Sequence, residues 1–241
     1  MKIRKLVINR RILFLLGFIV IAFLIIAGGA LSERAKINSP AVEPTVFSQT
    51  LLNVPLFMQE KRFACNLEAA RMVLSYRGIE KRTVELYEEI VKDPTPFDKE
   101  RNIFGDPNLG YVGDIEGIEK GYGVHWQPIS DLIAKYRPNE VKTGWDLASL
   151  LQEITNGNPV LIWAHNDFAE TGKDITWTTP EGKTINAVTG MHTYVVVGYN
   201  NNIEAPTEIV LHDSYKGRWT ITTSKFLDLW SVFNNTAIVV Y

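Results

Sequence analysis

The chain has 241 residues, of which 46% are hydrophobic and 22% are charged, and this composition is that of an ordinary folded protein. The formal net charge of −2 argues against a nucleic-acid binder, because such domains carry a clear excess of basic side chains. With one cysteine in the chain, an intrachain disulfide framework is excluded.

The N-terminal part of the chain predicts a membrane anchor. Residues 1–11 carry five basic side chains and no acidic one, and residues 12–31 carry no charge. Twenty helical residues span roughly 30 Å, which is the thickness of the hydrocarbon core of a bilayer. We therefore predict a cytoplasmic basic segment over 1–11, a transmembrane helix or uncleaved signal anchor over 12–31, and an extracytoplasmic remainder. The alternative is secretion after signal-peptide cleavage at the small residues 27–30, but the apolar run is longer than a typical signal peptide's.

The remainder of the chain predicts a stalk and one α+β domain. Residues 32–50 contain Pro40 and Pro44 without hydrophobic periodicity, so they are interpreted as a stalk, and the folded domain is expected over 51–241. Helical patterns dominate the first part of that domain, with predicted starts at Cys65, Thr83, Trp126 and Trp145. Pro94 and Pro96 are expected to end the helix that starts at Thr83. From residue 193 onward, short β-branched and aromatic runs predict an antiparallel sheet, with one further helix over 224–233.

The single cysteine, Cys65, stands where a helix should begin. Four apolar residues at helical spacing follow it, and Gly78 provides a natural end: Leu67, Ala70, Val73 and Leu74. A thiol at a helix N-terminus lies at the positive end of the backbone dipole, which stabilises the nucleophilic thiolate. The structural alternative is a small core residue, which is what a lone cysteine on an apolar helix usually is. Gln59, six residues earlier, can donate to an oxyanion if the chain turns sharply between the two residues.

A cysteine nucleophile needs a base and a group that orients the base. His192 opens the predicted strand TYVVVGY, and Asp213 closes the next predicted strand. If these strands are neighbours, the carboxylate can hold the imidazole in one tautomer and stabilise its protonated form. Each residue also has an ordinary structural interpretation, as a half-buried strand-end histidine or a turn-capping aspartate. His212 is expected to point to the opposite face of its strand from Asp213.

Three tryptophans are candidates for the walls of a substrate groove, although ordinary core packing is the alternative for each: Trp126, Trp163 and Trp177. Metal chemistry is not predicted, because no set of His, Cys and Asp has the short ligand spacing of a zinc site, and DPNLG lacks the acidic pattern of a calcium loop. We expect no metal and no cofactor.

The order of Gln59, Cys65 at a helix start, His192 opening a valine-rich strand and then Asp213 resembles papain-like cysteine peptidases. Segments across residues 51–241 resemble the free-standing C39-like members of the bacteriocin-leader-processing branch: VPLFMQ, ACNLEAARMVL, FGDPNLGYVGDIEG, YGVHWQPISDL, NPVLIWA, GMHTYVVVGYN and LHDSYKG. The resemblance implies a papain-like fold, with Cys65 as nucleophile and His192 as general base and acid. It also implies that Asp213 orients the histidine and that Gln59 donates to the oxyanion.

Two features depart from the pattern of these relatives. Ala64 and Asn66 flank the cysteine, where many relatives carry glycine. The chain also lacks the phosphate loop of the transporter-fused members, so their double-glycine leader substrates are not carried over, and no nucleotide partner is expected.

The sequence therefore predicts a membrane-anchored extracytoplasmic cysteine peptidase that cleaves a peptide or protein substrate. Two alternatives stay open. One is a cell-wall peptide amidase of the same fold, and the other is a catalytically inactive surface binding module.

Overall fold

The computed structural model describes residues 48–118, 120–166 and 173–241. The predicted basic segment, the predicted transmembrane helix and nearly all of the predicted stalk lie outside these ranges. Among the residues described, no helix has the length and apolar character needed to cross a membrane. The first strand starts at Gln49, two residues before the predicted start of the domain at Leu51.

Helices and strands alternate along the first two thirds of the described chain, and strands dominate the last third. The helices are α1 (Cys65–Tyr76), α2 (Thr83–Glu89), α3 (Trp126–Ala134), α4 (Leu147–Thr155) and α5 (Thr223–Ser231). The strands are β1 (Gln49–Leu51), β2 (Lys92–Asp93), β3 (Tyr111–Val112), β4 (Asn139–Lys142), β5 (Val160–His165), β6 (Asp174–Thr178), β7 (Thr184–Val188), β8 (Met191–Asn200), β9 (Glu208–Asp213), β10 (Gly217–Thr222) and β11 (Ala237–Val240).

A central antiparallel sheet organises these elements. Its strand order is β10-β9-β8-β5-β11-β4, and β1 pairs with the far end of β8. Strands β8 and β9 are neighbours, as predicted, so the ends that carry the candidate histidine and aspartate lie at one rim of the sheet. The prediction of an α+β fold with an antiparallel sheet is confirmed.

Both faces of the sheet are covered, which explains why β8 reads as a nearly continuous apolar run. Val195 and Val197 pack into the layer that contains α1 and α3, whereas Tyr194 and Val196 pack into the layer that contains α4 and α5. This alternation is the period of two that a strand imposes on its side chains. The stripe predicted on α1 is fully buried in the first layer, where each leucine side chain stabilises the fold by about 1.5–3 kcal/mol.

Helix α2 is shorter than the sequence predicted, and the expectation that Pro94 and Pro96 end it was wrong. The helix ends at Glu89, and β2 follows it and pairs in parallel with β3. The carboxylate of Asp93 accepts hydrogen bonds from the backbone N–H groups of Thr95 and Asp106. An aspartate that binds nearby backbone in this way competes with helix formation, because its bonds are satisfied in the loop.

A β-hairpin that the sequence analysis missed stands beside the sheet. Its strands, β6 and β7, pair from Asp174–Val188 to Thr178–Thr184. The hairpin packs through its apolar face on the 97–123 loop, and the indole N–H of Trp177 donates to the Gly105 carbonyl at 2.8 Å. The hairpin is therefore held by contacts with a distant loop.

Candidate active site

Cys65 is the first residue of α1, and its side chain is 8% exposed. Ala64, the residue before it, provides no side-chain cap, and the backbone N–H groups of the first turn of a helix have no intrahelical partners. The entry into the helix is fixed at Phe63, whose N–H donates to Ile115 O at 3.0 Å and whose carbonyl accepts from the Tyr111 hydroxyl. The thiol therefore lies beside the N–H groups of the first turn, which no carbonyl within the helix accepts, at the surface end of a buried helix.

His192 and Asp213 form a buried pair at the rim of the sheet. His192 Nε2 lies 2.9 Å from Asp213 Oδ1, and the exposed fractions of the two residues are 2% and 1%. The same carboxylate oxygen accepts the backbone N–H of Tyr215 at 2.7 Å. The structure thus brings together the histidine and the aspartate that the sequence paired.

The protonation of this pair follows from its neighbours. Burial lowers the pKa of His192, but the charge of the adjacent Cys65 sulfur and the hydrogen bonds with Asp213 and Cys65 outweigh it and raise the pKa to about 9. Burial raises the pKa of Asp213, but its hydrogen bond and charge attraction with His192 leave it below its usual range. Both shifts favour an imidazolium held by a carboxylate.

Cys65 and His192 line one cleft, whose volume is about 350 Å³. Because Nε2 faces Asp213, Nδ1 is the ring nitrogen left for the thiol. Gly121, Gly123 and Gly190 also line the cleft, so part of its wall is backbone without side chains. The arrangement can supply a nucleophile, a base held in one orientation, and backbone N–H donors for an oxyanion.

Tyr215 covers the histidine, and the sequence analysis did not identify it. Its ring centroid lies 5.6 Å from that of His192 at an angle of 32°, and its hydroxyl donates to Arg62 O at 2.7 Å. The residue is 52% exposed, so its outer face meets water while its inner face shields the imidazole. Its place two residues after Asp213 was the only available signal.

Gln59 lies close to the residues that lead into α1, but its amide is engaged elsewhere. Its Nε2 donates to Lys61 O at 2.8 Å and to Arg62 O at 3.0 Å, and its Oε1 accepts the Ser214 hydroxyl at 2.6 Å. Gln59 is absent from the described residues that line the Cys65 cleft. Its role as an oxyanion donor stays a prediction. The backbone N–H of Cys65 is a second candidate donor to the oxyanion.

Two other histidines are buried away from this cleft. His212 Nε2 accepts from Arg218 Nε at 3.0 Å, and burial, followed by the charge of Arg218, lowers its pKa to about 4. His125 Nδ1 lies 2.8 Å from Asn108 Oδ1, and burial lowers its pKa to about 4 as well. Both are therefore neutral near pH 7 and are unlike His192.

The three tryptophans have different positions. Trp163 and Trp177 are core residues, 0% and 4% exposed. Trp126 lines a cavity of about 560 Å³ beside the β6–β7 hairpin. That cavity is larger than the Cys65 cleft, but the single cysteine of the chain lines the smaller cleft, which is therefore the candidate site.

Comparison with known proteins agrees with the fold. A helix-borne cysteine beside a buried histidine–aspartate pair, on an α+β scaffold, is an arrangement typical of thiol hydrolases. The sequence profile of the peptidase C39-like family matches residues 51–238, and the chain belongs to that family. A solved structure from Bacillus anthracis, described as a C39-like peptidase, is 27% identical, with a TM-score of 0.71 over 80% of this chain and 98% of that chain. No curated protein matches the sequence.

Proposed function

We propose that the protein is a membrane-anchored, extracytoplasmic cysteine peptidase that hydrolyses peptide bonds with Cys65, His192 and Asp213. The observation that carries the proposal is the buried 2.9 Å contact between His192 Nε2 and Asp213 Oδ1 in a residue pair adjoining the Cys65 cleft. Membership of a peptidase family supports the choice of a peptide as substrate.

In the proposed reaction, His192 gives up a proton in the first half and takes one from water in the second half. The Cys65 thiolate attacks the carbonyl carbon of the scissile amide, and the oxyanion is stabilised by the backbone N–H of Cys65. The C–N bond breaks as His192 gives its Nδ1 proton to the leaving amine. Water, deprotonated by His192, then attacks the thioester. The C–S bond breaks, which releases the acid product and restores the Cys65 thiolate beside the protonated His192. Asp213 keeps the imidazole oriented throughout.

The proposed location rests on the sequence. Residues 12–31 are uncharged and follow five basic residues, which favours a single span with the N-terminus in the cytoplasm and the domain over 51–241 outside. Cell fractionation tests this part: the full chain should stay with membranes after alkaline carbonate washing, and external protease should degrade its domain in spheroplasts. Recovery of a shortened chain from the medium would favour secretion instead.

The activity is tested with the full chain in detergent micelles and a peptide library derived from a whole proteome. New peptide termini, identified by mass spectrometry, should appear with the wild type and be absent with Cys65→Ala and His192→Ala. His165→Gln is the matched control, since this histidine closes β5 and is not among the described residues that line the Cys65 cleft. Release of amino groups from purified peptidoglycan without peptide cleavage would favour the amidase, and no product from either substrate would favour the binding module.

A further inference from the structure

Asn66, the residue after the candidate nucleophile, is a polar side chain with no exposed surface. Its Oδ1 lies 3.8 Å from Cys65 Sγ, within the range of a hydrogen bond that involves sulfur. Its Nδ2 donates to Thr193 Oγ1 at 2.5 Å. Burying an amide costs free energy unless its groups are paired, and here the two ends of the amide meet the sulfur and a hydroxyl.

This amide joins the two elements that carry the proposed nucleophile and base. Thr193 follows His192 in β8, and it is separated from Asn66 by 127 positions in the chain. Successive side chains of a strand point to opposite faces, so the bond holds β8 from the α1 side while Asp213 holds the histidine from the other. The Asn66–Thr193 bond therefore fixes the start of α1 against the strand of the base.

The Thr193 hydroxyl and the Asn66 amide differ in how they can form hydrogen bonds. A threonine hydroxyl can donate or accept, whereas an amide presents an acceptor at one end and donors at the other. With Oδ1 toward the sulfur, the amide accepts the S–H of a neutral thiol. Turned by about 180°, it would donate an N–H to a thiolate while the Thr193 hydroxyl donates to Oδ1. In both arrangements each end of the Asn66 amide has a partner.

Gly123 lies next to the Asn66 amide and leaves room for it, because it has no side chain. Gly123 has φ +91°, and a Cβ at this position would lie 3.1 Å from Asn66 Oδ1 and 3.5 Å from Met191 Cε. Any larger residue would press on the amide. The buried floor of the cleft is thus shaped around the Asn66 side chain.

We propose that Asn66, anchored by Thr193, is a positioning residue that hydrogen-bonds the Cys65 sulfur in both of its protonation states and so takes the place of water in the floor of the cleft. This inference rests on the proposed function, because it assigns a role relative to a reactive Cys65. Asn66 acts through the sulfur and does not touch the substrate.

The test is the rate of alkylation of Cys65 by iodoacetamide as a function of pH, with the full chain in detergent micelles. Asn66→Asp places a carboxylate beside the sulfur and opposes the thiolate, so we expect the rate at pH 7 to fall about ten-fold and the half-maximal pH to rise by about one unit. Thr193→Val frees the amide and should slow the reaction several-fold, whereas Thr193→Ser keeps the hydroxyl and should retain the wild-type profile.

The outcomes separate this inference from the proposed function. If Thr193→Val, Asn66→Asp and the wild type, all folded by circular dichroism, share one pH profile while His192→Ala changes it, the role of Asn66 is overturned and the Cys–His pair stands. If His192→Ala also leaves the profile unchanged, the proposed function fails. If Asn66→Asp does not fold, the comparison of Thr193→Val with Thr193→Ser decides the matter alone, because equal profiles for those two variants overturn the proposal.

Discussion

The charge on His192 depends on the sulfur beside it, and Cys65→Ala should therefore make the imidazole a much weaker base. The pKa of His192 is about 9 against an ordinary value of 6.5. At about 1.4 kcal/mol per unit, this difference is roughly 3 kcal/mol of preference for the imidazolium. The largest cause that raises the pKa is the charge of the Cys65 sulfur, so its removal leaves the hydrogen bond and charge of Asp213 to oppose burial.

The assay is NMR of the full chain in micelles with labelled histidine, followed from pH 4 to pH 10. The chain contains four histidines, so each resonance can be assigned by single substitution. We expect the wild-type His192 to titrate near pH 9 and the Cys65→Ala protein to titrate well below that. His125 and His212, with pKa values lowered to about 4, should be unaffected and serve as internal controls.

Either of two results would refute this reasoning. A wild-type His192 that titrates near 6.5 would show that the sulfur does not stabilise the imidazolium. A His192 that still titrates near 9 in Cys65→Ala would assign the whole shift to Asp213 and remove the evidence for a Cys–His ion pair.

The remaining predictions concern the pair, its cover and the cleft wall. Asp213→Asn should lower the thermal midpoint most between about pH 4 and 6.5. Below this range the carboxylate becomes protonated, because the pKa of Asp213 is lowered but is reached on acidification, and its contribution to the free energy of unfolding is lost. Above this range the contribution fades as the pH rises through 9, the raised pKa of His192, because the imidazolium loses its proton. A uniform loss at every pH, measured by differential scanning calorimetry, would contradict this. Tyr215→Ala should admit water to the pair and slow alkylation at pH 7 by about ten-fold, whereas Tyr215→Phe keeps the ring and should lose much less; equal rates for the two variants would argue against shielding. Gly123→Ala should cost about 1–3 kcal/mol in urea unfolding, and more than Gly157→Ala, which has a similar positive φ but open space around it. Equal losses at the two glycines would attribute the whole effect to backbone strain.

Local patterns were sufficient to predict the elements that carry the candidate site. Helix α1 was predicted from apolar spacing alone, and β8 and β9 from runs of β-branched residues, because burial sets these periods directly. Once β8 and β9 were taken as neighbours, the meeting of His192 with Asp213 followed from their places at the strand ends.

What the sequence did not predict depends on contacts between distant segments. The β6–β7 hairpin packs against residues 97–123. The pattern of apolar and polar residues within these two short strands does not indicate that distant partner. The amide of Gln59 binds two carbonyls and the Ser214 hydroxyl, a choice that only the folded turn decides. Asn66 read as a departure beside the nucleophile, because its partner Thr193 lies more than a hundred residues away.

The order of the candidate residues along the chain has a consequence for biosynthesis. Cys65 lies in the first third of the chain, whereas His192 and Asp213 lie on β8 and β9, which are made much later and are followed by β10, α5 and β11. A nascent chain that already carries Cys65 therefore lacks its proposed base until β8 and β9 have emerged and paired. Under the proposed function, cleavage would therefore begin only after β8 and β9 have paired.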